Sequence, residues 1–251
     1  MLRYPSLSAF VSLLVLWLSA QIGAFFRRMR PLKDDERDDF NIVEAATLTL
    51  LGLIIGFSFS MAISRYDLRK NYEEAEANAI GTEYVRTGLM PAGVAAQLRP
   101  QLTRYLELRI LFYQTRNEHE LRRINADTTQ LQAEMWSAVQ VPAMAQPTPV
   151  TALTVSGMND VLNSQGYTQA AWWNRIPRAA WGLMAAIAIC SNVLVGYGAR
   201  SAKVRSGLLF VLPLVISISF LLIADIVSPR GGFIRVSPQN LVSLSRSLDA
   251  H

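Results

Sequence analysis

The chain has 251 residues, 51% of them hydrophobic and 17% charged, with a mean hydropathy of +0.22. A soluble domain of this size usually carries more charge, so an integral membrane protein is the first expectation. The net charge of +5 would suggest nucleic acid for a soluble protein; here most basic residues flank apolar runs, where they anchor helices, so nucleic acid is set aside as a partner.

Four apolar runs stand out: Leu7–Phe26, Val43–Ser64, Ala179–Ala199 and Gly207–Ile226. Each holds roughly 20 residues, enough at about 1.5 Å per residue to cross a ~30 Å hydrocarbon core. The first is followed by Arg27, Arg28 and Arg30 rather than a small-residue cleavage site, so it reads as an uncleaved span. In the second, Gly52, Gly56, Ser60 and Ser64 recur every fourth residue and form one small-residue face. Such a face admits a close helix neighbour in lipid, which makes Gly52 and Gly56 helix-packing candidates. Phe57 and Phe59 flank it, and with Ser60 and Ser64 they are the pore-lining candidates.

The second span continues without a break into the charged segment RYDLRKNYEEAEANAIGTEYVRTGLM. Leu68, Tyr72, Ala75 and Ala79 mark its expected apolar side, while Glu73, Glu76 and Glu83 share another. A solvated face, helped by Arg69 pairing with Glu73, is one reading of those carboxylates. The other makes Glu76 and Glu83 pore-mouth groups, since rings of carboxylates in an oligomer select or repel ions. Gly88 and Pro91 end this helix. A second helix is expected over about Val94–Tyr113, packing through Leu98, Leu102, Tyr105, Leu106 and Ile110. Leu121, Ile124, Thr128, Leu131, Met135 and Ala138 then form a short heptad stripe suited to a bundle or a docked partner. The tract VPAMAQPTPVT (Val141–Thr151) is expected to be a loop, followed by a helix from Leu153 to about Gln165. Tyr167, Trp172, Trp173 and Trp181 suit a membrane–water boundary.

With four spans, the N-terminus, the 65–178 region and the C-terminal tail share one side of the membrane. The short loops carry Arg27, Arg28, Arg30, Lys33 and Arg37 in one, and Arg200, Lys203 and Arg205 in the other, which places them in the cytoplasm by charge. The fold class expected is an all-α membrane protein: four transmembrane helices with a helical extramembrane body between the second and third. Its divisions fall at 1–64, 65–177, 178–227 and 228–251, and the inner cell membrane is the expected location.

Enzyme signatures are absent, and no catalytic residue, cofactor or metal site is assigned. There is no phosphate loop, cysteine pair, zinc-binding helix or nucleophile elbow. His119 lies between Glu118 and Glu120, but adjacent helical residues point apart, so a solvated turn is the better reading. His251 is terminal, and Cys190, the single cysteine, reads as a small packed residue in the third span. Glu44 and Asp225 sit at span ends, where charges escape most of the cost of lipid burial.

Three tracts resemble the bacterial bestrophin-like domain family: LGLIIGFSFSMAISRYDLRKNYEEAEANAIGTEYVR (Leu51–Arg86), NRIPRAAW (Asn174–Trp181) and ADIVSPRGGFIRVSPQNLVSL (Ala224–Leu244). The resemblance covers nearly the whole chain. More loosely, residues 56–66 and 228–241 are similar to the second-span exit and the post-fourth-span stretch of bestrophin anion channels, which are pentamers around an axial pore. That similarity implies a cytosolic body, opposite to the loop-charge reading. The chain departs from the animal channels in lacking their dense calcium-clasping acidic cluster, with only Asp225 and Asp249 nearby. The resulting expectation is a homo-oligomer in the lipid bilayer that passes small inorganic anions. The alternative is a non-conducting scaffold or sensor whose heptad stripe docks a partner.

Overall fold

Apolar runs of this length leave their backbone amides no partner in lipid but one another, so each should close into a helix. The computed structural model describes residues 5–199 and 202–250. The elements among them are α1 (Pro5–Met29), α2 (Arg37–Arg86), a 3-10 turn (Thr87–Leu89), α3 (Ala92–Gln114), α4 (Glu118–Ala145), α5 (Pro149–Trp173), α6 (Arg178–Gly198), α7 (Ala202–Val227) and α8 (Gln239–Asp249). Four of these stretches are long and apolar enough to cross a membrane. Arg200 and His251, both named above, lie outside the described residues, as do the side chains of Lys203 and Arg205.

The chain divides into two compact units: Met1–Arg65 with Arg175–Ile234, and Tyr66–Asn174 with Arg235–His251. Helix α2 contributes residues 37–65 to the first and 66–86 to the second. The C-terminal tail is likewise divided, at residue 234.

In the first unit, Leu16 of α1, Leu51 of α2, Ala188 of α6 and Ile216 of α7 form one buried cluster, so all four spans meet there. The tightest helix approach is between α1 and α6. A Cβ added to Gly23 would strike the Val193 carbonyl, and one added to Gly196 would strike the carbonyl of Ala20. Glycine and alanine at this crossing let the two backbones touch, which in lipid replaces the hydrophobic drive. The packing role expected of Gly52 and Gly56 is not met within the protomer, where an added Cβ at either finds no atom within 4 Å. Arg27 donates to the Tyr197 and Gly198 carbonyls at 3.1 and 2.6 Å, capping the C-terminal end of α6.

In the second unit, α3 supplies Leu98, Leu102, Tyr105 and Leu106 to a core completed by α4, α5 and Leu241 of α8. The heptad stripe is consumed here: Ile124, Thr128, Leu131 and Met135 are all buried, so it is an internal seam and not a docking surface. The expected proline-rich loop is much shorter. Helix α4 runs through Pro142 to Ala145, and Pro149 opens α5 behind a Thr148–Thr151 capping box. Pro149 is tolerated because a first-turn residue needs no amide donor, whereas Pro142 forgoes its amide bond to the Ala138 carbonyl one turn before α4 ends. Trp172 also departs from the boundary expectation, since it packs edge-on against Phe112 and Tyr113 inside the body. Trp173 is 72% exposed.

Gly196→Leu is therefore expected to destabilise the detergent-solubilised protein by about 1–3 kcal/mol, the usual cost of overpacking. Gly56→Ala meets no atom of its own protomer and should leave the unfolding midpoint of the dissociated protomer unchanged or slightly raised. Thermal unfolding followed by circular dichroism compares the two.

Candidate functional site

The spanning part of α2 has two contrasting sides. Leu51, Ser58 and Ala62 are buried and face the other spans. At about 100° per residue, Gly52, Gly56, Phe57, Phe59, Ser60 and Ser64 all point away from that side, about 80° to 180° from its centre. All six are exposed, with Phe57 at 63% and Phe59 at 37%. The protomer brings these candidates together as one continuous uncovered surface. It is small at Gly52 and Gly56, polar at Ser60 and Ser64, and aromatic at its edges.

Further along α2 and into the 3-10 turn, Arg69, Glu73, Glu76, Ile80, Glu83 and Thr87 are buried, with Ala77 buried beside Glu76. Their spacing of four, three, four, three and four residues is that of a helix seam. It is not the side expected to be apolar: Leu68 is 39% exposed and Ala75 is exposed too. The carboxylates expected on a solvated face or at a pore mouth are turned into the body. Glu76 is 0% exposed and pairs with the equally buried Arg109 of α3, Nε to Oε1. Its other oxygen accepts from Tyr113 Oη and Thr168 Oγ1, each at 3.3 Å. The Arg109 guanidinium carbon lies 4.3 Å from the Phe112 ring centroid. Burial, the largest single influence, disfavours the Arg109 charge, but the Glu76 carboxylate together with Tyr105 and Tyr113 outweighs it and holds the guanidinium above its ordinary pKa. Burial, and then the same carboxylate, push the Tyr113 phenol up.

Glu73 serves a second element. Helix α8 begins behind Pro238 without a side-chain cap of its own. The Glu73 carboxylate accepts from the amides of Asn240 and Leu241 at 2.9 and 3.0 Å, and from Asn240 Nδ2 at 2.7 Å. A carboxylate on free helical amides satisfies donors and opposes the positive end of the helix dipole. Asp225 does related work at the end of α7, where it is 3% exposed. Its oxygens accept from the amides of Phe233 and Ile234, each at 2.8 Å. Gly232 is required beneath it, since a Cβ there would strike the Asp225 carbonyl.

Sequence reasoning missed Arg109, Tyr113, Thr168 and Asn240 as partners. Only the last had a local signal, lying within a quoted tract. Among the described residues no group of three metal-ligating side chains converges. His119 instead sits at the start of α4, its amide held by Asn117 Oδ1 and its ring beside Arg122. Cys190 is exposed on α6 and not packed as expected.

These features define a multi-pass helical membrane protein with a polar-seamed helical body. The bestrophin-like domain model matches residues 10–241. The chain belongs to the bestrophin-like domain family. A bacterial bestrophin homologue from Klebsiella pneumoniae, solved by Zn-SAD phasing, has the same fold with a TM-score of 0.68 at 13% identity, covering 95% of this chain and 96% of that one. A singly substituted form of that homologue matches at a TM-score of 0.67 and 12% identity, over 95% and 97% of the two chains. No curated protein matches the sequence.

Removing one partner of the buried pair strands the other, so Glu76→Ala is expected to cost about 3–5 kcal/mol, whereas Glu76→Met with Arg109→Met should recover most of that loss. Denaturant titration in detergent reads both.

Proposed function

We propose that this protein is a homo-oligomeric channel for small anions in the inner cell membrane, with the uncovered arc of α2 at its subunit contacts and pore. The observation that carries the reading is that arc. Four spans meet around Leu51, yet Gly52, Gly56, Phe57, Phe59, Ser60 and Ser64 on the same helix remain uncovered. Serine hydroxyls gain little from facing lipid and more from water or a neighbouring helix. A repeated copy of the chain supplies the neighbour, and a closed ring of copies creates an axial path lined by one residue set. Phe57 or Phe59 would form the apolar constriction, with Ser60 and Ser64 offering hydroxyls to a passing ion. Membership in a family that shares its fold with a bestrophin homologue supports the same reading.

Glu76 and Glu83 do not enter this pore, because both are buried within the protomer. The scaffold alternative loses its docking stripe for the same reason: Leu131 and Met135 are 3% and 0% exposed.

Purified protein in planar bilayers is expected to show conductance whose reversal potential follows the anion gradient. Phe57→Ala or Phe59→Ala should raise unit conductance severalfold if that ring forms the constriction. Silence across ions and pH, from protein that remains folded and oligomeric, overturns the reading.

A further inference from the structure

Glu73 and Glu76 are each held by several donors, but Glu83 is not. It is 0% exposed, and neither of its carboxylate oxygens has a hydrogen-bond partner among the described residues. It packs on Gly157 of α5, where an added Cβ would collide with Glu83 Oε2 and with Arg86 Nη1. The glycine makes the seat for this carboxyl. Met158 beside Gly157, and Thr154 and Val161 about one turn to either side on α5, are buried as well. The charged groups bearing on Glu83 are Arg86 from its own helix and Asp160 from α5. From α3, Arg99 is engaged elsewhere, donating to Thr87 Oγ1 at 3.1 Å and lying over the Tyr84 ring. A single flanking arginine, opposed by an aspartate, leaves a buried carboxylate short of compensation.

We propose that Glu83 is a proton-binding site of the helical body: its neutral carboxyl packs against Gly157, and its ionisation loosens the contact between the end of α2 and α5. A carboxylic acid fits an apolar, donor-poor seat, whereas a carboxylate there lacks every donor it needs. Burial is the main cause of a pKa raised to about 8, with Asp160 adding to it and Arg86 opposing it. The sign follows directly. A carboxyl released to water titrates near 4.5, so the packed form binds the extra proton between that value and about 8. Packing is thus strongest in acid, weakens as pH rises through this window, and changes no further once both forms are ionised. This inference concerns the body alone and needs no assumption about conduction.

Hydrogen–deuterium exchange on the full chain in detergent micelles tests it, after correction for the intrinsic pH dependence of exchange. Amides of residues 83–89 and 154–161 are expected to open about tenfold more per pH unit between roughly 5 and 8, then level off. Glu83→Gln should flatten that profile. A wild-type profile that is flat, or a Glu83→Gln profile that still rises, overturns the proposal. Two variants of less buried groups keep the test independent of how Glu83→Gln folds. Asp160→Asn should move the levelling point to lower pH and Arg86→Gln to higher pH; unmoved points in both overturn the proposal equally.

Discussion

The buried pair of Glu76 and Arg109 is the constraint on which the helical body depends. A carboxylate at a seam position of α2 obliges α3 to present an arginine at one level and no other. Tyr113 of α3 and Thr168 of α5 then converge on the same carboxylate. Glu73, one turn earlier, obliges α8 to begin where its free amides meet that side chain. Apolar contacts tolerate sliding along a helix, but a buried charge does not, because losing its partner exposes the full desolvation cost. The polar residues of α2 therefore set the register in which the leucines and methionines around them pack.

The spanning unit uses a different device. There, no buried ion pair fixes the register among the described side chains. Gly23 and Gly196 bring the α1 and α6 backbones into contact, and Arg27 closes the end of α6. Close packing of small residues on one pair of helices leaves the outer arc of α2 free. That division, tight inside and open on one helix face, is the arrangement on which the proposed ring of copies rests.

The residues that carry the family resemblance become intelligible through these contacts. Glu73 in the first tract is hydrogen-bonded to Asn240 in the third, while Glu76 in the first tract pairs with Arg109, which lies outside the three tracts. The Asp225 and Gly232 of the third tract form a turn in which a carboxylate holds two backbone amides. At 12–13% identity to the two solved structures, the fold persists while most side chains differ. Apolar cores allow such exchange if volume and pattern are kept.

Length, hydropathy and helix periodicity in the sequence were enough to determine the four spans, the all-helical body between the second and third, and most of the packing residues of α3 and α4. Those properties depend on local repeat alone, and a repeat of apolar residues can be read without knowing its partner. The buried side of the second half of α2 could not be read this way, because its seam is charged. Glu73, Glu76 and Glu83 have the composition of a solvated face; donors some 30 to 170 positions away turn the first two inward, and Gly157 of α5 seats the third. The same holds for Gly23 and Gly196, whose contact joins distant segments, and for Gly52 and Gly56, whose tidier spacing faces open space. Tertiary structure decided which small residues touch and which carboxylates are buried, because both depend on what arrives from elsewhere in the chain.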